Sequence, residues 1–158
     1  MDIYLMQHGV ATSAEEDPAR PLSAAGRVGV EQVARRAAAC GVRVDRCVHS
    51  GKLRAEQTAR ILGGAVGASV ATRDGLNPSD PVHPIADWLR HQAETAPDLA
   101  IAVVGHLPFL DRLAAVLVVG REDAHPIRFE NAGLVKLAAN ADASGFAVEW
   151  ILTRELSV

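Results

Sequence analysis

Short apolar runs alternate with helix-like patterns along the chain, and this alternation constrains the fold more than any other feature. Apolar runs typical of buried strands occupy residues 2–6, 46–49, 69–72 and 100–104. Between these runs, apolar residues recur at intervals of three and four positions, as they do on one face of a helix. A strand–helix–strand order of this kind predicts a mostly parallel sheet with helices on both faces.

The helix boundaries and the C-terminal region complete this prediction. Ser23 is expected to cap the first helix, which Gly41 ends, and Pro84 is expected to open the third. Residues 134–139 and 146–152 predict an antiparallel hairpin. The hairpin's second strand is expected to place four apolar side chains on one face: Phe146, Val148, Trp150 and Leu152. The sequence therefore predicts a three-layer αβα fold with a C-terminal hairpin.

Length and composition exclude several classes of protein. A chain of 158 residues, 49% of them apolar, suits one domain over 1–158 with a sizeable core. The net charge of −3 gives no general attraction to nucleic acid or to an anionic membrane, and no apolar run is long enough to span a bilayer. The chain starts directly with strand-like residues, so we expect no signal peptide. Cys40 and Cys47 form no CxxC pair, which argues against a disulfide framework or a zinc site and favours a cytoplasmic location.

Chemically reactive residues follow three of the predicted strands. Gln7-His8-Gly9 follows the first strand, and Gly105-His106 follows the last parallel one. The second strand ends in His49 and is followed by Ser50-Gly51-Lys52, with Arg54 at the start of the next helix. Ligands bind open α/β sheets at the carboxyl ends of the strands, so these residues are expected to share one site.

The residue types at these strand ends suit phosphoryl transfer. A helix N-terminus attracts phosphate through its free N–H groups, and the guanidinium of Arg54 can bind two phosphoryl oxygens at once. A neutral imidazole is a competent nucleophile, and a second one can stabilise the charge that develops. Two other ligand classes lack their motifs, because the chain contains neither the GxGxxG of dinucleotide-binding folds nor the GxxxxGK[ST] of P-loops. The two histidines have no carboxylate partners at metal-binding spacing.

Four segments in order resemble the histidine phosphatase superfamily, and within it the small SixA-type phosphohistidine phosphatases. The segments are Met6–Gly9, Arg20–Ser23, Ser50–Ala59 and Gly105–Pro108. The resemblance implies a phosphoglycerate-mutase-like fold and a phosphatase in which His8 is the nucleophile and forms a phosphohistidine intermediate. It also implies that Arg54 and His106 hold the phosphoryl oxygens, that water hydrolyses the intermediate, and that neither a metal nor another cofactor is needed.

Gln7 departs from this family's Arg-His-Gly tripeptide. Charge-assisted hydrogen bonds are roughly twice as strong as neutral ones, so the substitution weakens phosphate binding unless Lys52 or Arg20 replaces the lost charge. Two hypotheses follow. The chain is either a phosphatase with a modified pocket, or a module that binds phosphohistidine or phosphate and hydrolyses it weakly or not at all.

The remaining site residues and the substrate are less constrained. Gly9 is expected to let the substrate approach the backbone, and Ser50 either donates to the phosphate or caps the following helix. Asp80 is a candidate proton donor, with the capping of a helix as its alternative role. The predicted partner is a phosphorylated protein, for example a histidine-phosphotransfer domain, or a small phosphate compound.

Overall fold

The strands and helices follow one another in the order that the sequence predicts. A computed structural model describes residues 1–142 and 144–157 of the protein. In chain order the elements are β1 (Asp2–Gln7), α1 (Ala24–Ala39), β2 (Arg46–His49), α2 (Leu53–Val66), β3 (Ser69–Thr72), α3 (His83–Thr95), β4 (Ala100–Gly105), α4 (Phe109–Val118), β5 (Leu134–Ala139), β6 (Phe146–Leu152) and a 3₁₀ turn (Glu155–Ser157). Among these described helices, none is both long enough and apolar enough to cross a membrane.

One six-stranded sheet forms the middle layer, with the strand order β3-β2-β4-β1-β5-β6. The first four strands in that order pair in parallel, whereas β5 runs antiparallel to both β1 and β6. Side chains of α1 and α2 pack on one face of the sheet, and side chains of α3 and α4 pack on the other. The predicted three-layer αβα fold with a C-terminal antiparallel hairpin is therefore confirmed.

The strand order switches direction between β1 and β4. The chain leaves β1 through α1 on one face of the sheet, and it leaves the neighbouring β4 through α4 on the opposite face. Helices that diverge in this way open a crevice at the carboxyl ends of the two strands, where α/β proteins usually bind their ligands. The topology therefore places the residues after Gln7 and Gly105 on the two sides of one crevice.

The sequence signals for helix boundaries act as predicted. Ser23 caps α1, because its hydroxyl oxygen accepts a hydrogen bond of 3.0 Å from Gly26 N–H. Gly41 follows the end of α1 with a φ of +81°, a left-handed conformation that favours glycine. Pro84 lies in the first turn of α3, where its missing N–H leaves no bond unmade.

The face predicted for the last strand is wrong. Phe146 packs in the core beneath α3 and α4, whereas Trp150 and Leu152 pack against the core beneath α1 and α2. Leu137 pairs with Val148, and the preceding Lys136 pairs with Trp150, so one residue of β6 bulges out of the ladder between them. An extra residue reverses the alternation of side chains beyond it, and a strict period of two fails at that point.

Gly26 allows the first turn of α1 to lie directly against the chain that leaves β1. A methyl group on Gly26 would lie 1.9 Å from the carbonyl oxygen of Val10, which is backbone and cannot move aside cheaply. Gly64, on the exposed side of α2, has no atom within 4 Å of the same position. These two helical glycines therefore differ in the space around them and provide a matched pair.

We expect Gly26→Ala to lower the free energy of unfolding by about 1–3 kcal/mol, the usual effect of overpacking. Gly64→Ala should raise it by about 0.5–1 kcal/mol, because alanine is the better helix former. Urea unfolding of both variants and of the wild type measures the two changes. Equal effects of the two substitutions would contradict the close approach of α1 to Val10.

Candidate active site

His8 and His106 follow the two central parallel strands, and their rings lie side by side. β1 and β4 pair with Gln7 opposite Gly105, and His8 N–H donates a hydrogen bond of 3.1 Å to the Gly105 carbonyl. The centroids of the two imidazole rings are 5.0 Å apart, and the ring planes are inclined by 57°. The fold thus brings together two histidines that are far apart in the chain.

Hydrogen bonds fix which nitrogen of the His8 ring carries the proton. Nδ1 lies 2.7 Å from the carbonyl oxygen of Gly9, and Nε2 lies 3.2 Å from Nε of Arg54. A carbonyl can only accept and a guanidinium can only donate, so the proton is on Nδ1 and Nε2 presents its lone pair. Burial lowers the pKa of His8, the charges of Arg54 and Arg20 lower it further, and the Gly9 carbonyl partly opposes them. The neutral, nucleophilic form of His8 is therefore favoured.

Arg54 enters the crevice from the first turn of α2. Burial and the charge of Arg20 lower its pKa from the usual arginine value, as expected for a cation without a carboxylate beside it. The nearby acid Glu56 is already bound to Arg60 at 2.8 Å. The Arg54 guanidinium therefore remains available to an anion.

His106 is almost fully buried and is held by Ser50. Its Nε2 lies 2.6 Å from the Ser50 hydroxyl, whereas its buried Nδ1 has no hydrogen-bond partner. Burial lowers the pKa of His106 to about 3, with further contributions from His8, Arg54 and Lys52. Burial and these neighbouring cations keep this imidazole neutral over a wide range of pH. We refer to His8, Arg54 and His106 together as the edge cluster.

Ser50 does not cap the following helix. The N-cap position of α2 is Lys52, and no side chain there accepts a capping hydrogen bond. The Ser50 hydroxyl is 3.5 Å from Lys52 N–H, which is long for a hydrogen bond, and the far shorter contact to His106 is its main interaction. The capping alternative is therefore wrong, and Ser50 instead contacts His106 of the edge cluster.

Lys52 and Arg20 add positive charge around the same crevice. Lys52 contributes to the lowered pKa of His106, and Arg20 contributes to the lowered pKa values of His8 and Arg54. Arg20 lies on the loop between β1 and α1 with a φ of +49°, and its Nε donates to the Thr12 carbonyl at 3.3 Å. Both side chains are thus within electrostatic reach of the edge cluster, although neither touches its rings.

Gln7 brings a neutral amide to this positively charged edge. Its side-chain oxygen is buried and has no hydrogen-bond partner, while its backbone carbonyl accepts from Ala132 N–H at 3.0 Å.

Gly9, two residues further along the chain, is tightly enclosed, since a methyl group there would lie 2.6 Å from Val30 and 2.9 Å from Leu22. Gly9 therefore serves close packing behind the His8 ring, in addition to any approach by a ligand.

Within the described residues, no hydrogen bond or ion pair joins Asp80 to the edge cluster. Its carboxylate accepts from Asn77 N–H at 2.8 Å within its own loop, and its carbonyl accepts from Arg112. The N-cap of α3 is Val82, so Asp80 does not cap that helix either. Within residues 1–142 and 144–157, the charges that shift the pKa values of the edge cluster are all cationic, and no carboxylate is among them.

Two further residues hold the chain segment that carries His8. Thr58 accepts a hydrogen bond from Gly9 N–H at 3.1 Å, and Asn131 donates to the His8 carbonyl at 2.9 Å. Thr58 lies one helical turn after Arg54 in the segment that carries the family resemblance, but its partner is 49 residues away. Nothing in the sequence around Asn131 indicates its contact. His125 pairs with Asp111 outside the edge cluster.

The geometry suits an anion that carries several oxygen atoms. One imidazole offers a lone pair, a second imidazole and a guanidinium face the same space, and two more cations lie nearby. In the described part of the chain, no three His, Cys, Asp or Glu side chains are grouped to hold a metal ion. Fixed positive groups around a nucleophile stabilise the charge of a phosphoryl group in transfer.

Several solved structures share this fold. The protein histidine phosphatase SixA complexed with tungstate has a TM-score of 0.85 and 24% identity, covering 98% of this chain and 97% of that one. A putative phosphohistidine phosphatase SixA from Agrobacterium tumefaciens has a TM-score of 0.77 at 24% identity, covering 96% and 97%. Phosphoserine phosphatase from Entamoeba histolytica has a TM-score of 0.74 at 14% identity, covering 98% of each chain.

Sequence comparison agrees with the structural similarity. An uncharacterized protein from Picosynechococcus sp. (strain ATCC 27264 / PCC 7002 / PR-6) is 32% identical over 145 residues, which cover 89% of this chain and 87% of that protein. The model of the histidine phosphatase superfamily (branch 1) matches residues 3–80, the stretch that contains His8, Arg20 and Arg54. Together with the fold, this match shows that the chain belongs to the histidine phosphatase superfamily.

Proposed function

We propose that this chain is a phosphatase that hydrolyses phosphohistidine through a covalent phosphohistidine intermediate on His8. One observation carries the proposal: the unprotonated Nε2 of His8 lies 3.2 Å from the Arg54 guanidinium, beside a second imidazole. A lone pair and a cation at this distance are what in-line attack on a phosphoryl group requires. The similarity in fold to SixA supports the same reaction.

The reaction proceeds by two displacements at phosphorus. His8 Nε2 attacks the phosphorus atom, the bond from phosphorus to the leaving group breaks, and the phosphoryl group becomes bonded to Nε2. As the phosphoryl group enters, the Arg54 donor moves from Nε2 to a phosphoryl oxygen, and His106 binds another. Water then attacks the phosphohistidine, releases inorganic phosphate and gives up its proton to solvent, which leaves His8 neutral again.

The lack of a carboxylate at the edge cluster favours phosphohistidine over an alkyl phosphate ester. An alkoxide is a poor leaving group unless an acid protonates it, and no carboxylate is among the charges that shift the pKa values of the described edge cluster. An imidazole with a proton on its other ring nitrogen departs as a neutral molecule and needs no acid. The substrate we propose is a phosphorylated protein such as a histidine-phosphotransfer domain, with small phosphoramidates or acidic phosphate esters as alternatives.

Gln7 favours a second candidate function, in which the domain binds phosphohistidine or phosphate and turns it over slowly or not at all. Removal of one charged donor from a site of this kind reduces kcat by about 10²–10³-fold. The Gln7 side-chain oxygen is buried without a hydrogen-bond partner, which supports a site where this amide does not replace the charged donor fully. Both candidate functions use the same pocket, and they differ only in turnover.

Labelling of His8 tests the proposed function directly. On incubation with ³²P-phosphohistidine peptide, we expect an acid-labile, alkali-stable label on the wild type and rapid release of inorganic phosphate. His8→Ala should abolish both the label and turnover, whereas His91→Ala, which changes an exposed histidine on α3, should leave both intact. A phosphoserine peptide should be hydrolysed at least about 10²-fold more slowly, since its leaving group is not protonated. Binding of phosphate without any label on His8 would instead support the second candidate function, in which the protein binds phosphohistidine or phosphate without hydrolysing it.

Restoring an arginine beside the nucleophile should raise the rate. We expect Gln7→Arg to increase kcat by about 10- to 10³-fold, the range set by one charged donor and by partial compensation from Arg20 and Lys52. Gln92→Arg adds the same charge to α3 and is the matched control. An unchanged kcat in Gln7→Arg would mean that other cations already stabilise the transferring phosphoryl group fully.

The pH dependence of kcat/KM should report the lowered pKa of His8. Because only the unprotonated ring attacks, activity should persist as the pH falls through the usual histidine pKa of about 6.5 and decline only below it. Arg20→Gln removes one of the cations that lower this pKa, so the acid limb should move up by about 0.2–0.7 pH units. Comparison with Arg35→Gln on the same substrate cancels the substrate's own ionisation. A limb that stays in place would show that Arg20 does not act on His8.

A further inference from the structure

A closed ring of hydrogen bonds runs through His8, and one of its four residues, Thr58, has no role in the proposed function. Arg54 Nε donates to His8 Nε2 at 3.2 Å, and His8 Nδ1 donates to the Gly9 carbonyl at 2.7 Å. Gly9 N–H donates to the Thr58 hydroxyl at 3.1 Å, and that hydroxyl donates to the Arg54 carbonyl at 2.7 Å. The ring therefore leaves Arg54 through its side chain and returns to it through its backbone.

The direction of each bond in this ring is forced by the groups involved. The guanidinium and the peptide N–H can only donate, and the two carbonyls can only accept. Thr58 has a single hydroxyl proton, which goes to the Arg54 carbonyl, so its oxygen is left to accept from Gly9. All donors thus point the same way around the ring. The His8 imidazole and the Thr58 hydroxyl each accept one bond and donate the next, so the two bonds at each of these groups polarise one another.

Thr58 is the member that can be changed without touching the reacting groups. Its side chain is fully buried, and the hydroxyl is both donor and acceptor there. The buried Gly9 N–H has the Thr58 hydroxyl as its partner. Loss of the hydroxyl leaves that N–H unsatisfied and weakens the hold on the Gly9 backbone, although its neighbours still enclose it. The carbonyl of that glycine is the group that holds the proton of His8 on Nδ1.

We propose that Thr58 is a positioning residue whose hydroxyl, through Gly9, keeps the His8 proton on Nδ1 and the Nε2 lone pair directed into the crevice. The proposal rests on the proposed function only where it names His8 as the nucleophile. The tautomer itself is a property of the resting protein. Thr58 contacts no substrate, and it acts on the reaction through His8 alone.

Imidazole ¹⁵N NMR of the wild type at pH 8 in phosphate-free buffer is the first measurement, and it needs no variant. We expect the His8 Nδ1 signal to be that of a protonated nitrogen and the Nε2 signal that of an unprotonated one. Hydrogen exchange of the Gly9 amide should be slow. A wild-type His8 that carries its proton mainly on Nε2 would overturn the proposal.

Two variants of Thr58 separate the hydroxyl from the rest of the side chain. Thr58→Val keeps the shape and removes the hydroxyl. We expect it to lower kcat by about 10–100-fold with KM changed less than about 3-fold, to raise the fraction of the Nε2–H tautomer, and to speed exchange of the Gly9 amide. Thr58→Ser keeps the hydroxyl and should stay within about 5-fold of wild type in kcat, with the wild-type tautomer.

Thr95→Val is the matched control, because the Thr95 hydroxyl makes the same bond to a carbonyl four residues earlier in α3, at 2.8 Å, without any contact to the edge cluster. It should leave the His8 tautomer, the exchange of the Gly9 amide and kcat unchanged.

Equal loss in Thr58→Ser and Thr58→Val, or a normal His8 tautomer and kcat in Thr58→Val, would refute the role of the hydroxyl. If Thr58→Val does not fold, the wild-type spectrum and Thr58→Ser decide the question. If the protein proves not to hydrolyse phosphohistidine, the tautomer and exchange data still test Thr58, and the missing label on His8 tests the proposed function separately.

Discussion

The hydrogen bond from Arg54 Nε to His8 Nε2 is the contact around which the candidate site is organised. It joins the end of β1 to the first turn of α2, two elements that are separated in the chain by a whole helix and a strand. Burial lowers the pKa of His8, and a guanidinium against its lone pair further disfavours a proton on that nitrogen. In the proposed reaction, the contact occupies the lone pair until a phosphoryl group offers the guanidinium a better acceptor. The same bond then releases His8 for attack.

Burial, followed by positive charge that no carboxylate among the described residues offsets, lowers every shifted pKa in the edge cluster. Burial and neighbouring cations disfavour the protonated form of each group. A phosphoryl dianion in the crevice would reverse the effect of the cations and give each donor a partner. In this setting Gln7 acts in two opposing ways. A neutral amide weakens the attraction for phosphate, yet it also relieves repulsion in a resting site that already holds Arg20, Lys52 and Arg54.

The sequence predicts the layers of the fold and the two histidines well, because both depend on local patterns. Apolar runs define the strands. Because ligands bind α/β sheets at the carboxyl ends of the strands, the residues that follow β1 and β4, His8 and His106, are then the expected site residues. The predictions fail where a contact depends on the register of distant segments. The bulge in β6 reverses the face of Phe146 relative to Trp150, and no local pattern marks that bulge. Ser50 looks like a helix cap in the sequence, whereas His106, 56 residues away, is its partner.

One face of α2 carries the residues that assemble the site. Arg54, Gln57 and Thr58 lie at positions i, i+3 and i+4, so their side chains point to the same side of the helix. Arg54 binds His8 and Thr58 binds Gly9, while Gln57 accepts from Leu22 N–H at 2.8 Å and so anchors the loop that carries Arg20. A single helix thus sets the positions of His8 and of a loop cation relative to Arg54. Because these three contacts share one element, a shift of α2 would disturb all of them together, and precise placement of the site requires firm packing of that helix against the sheet.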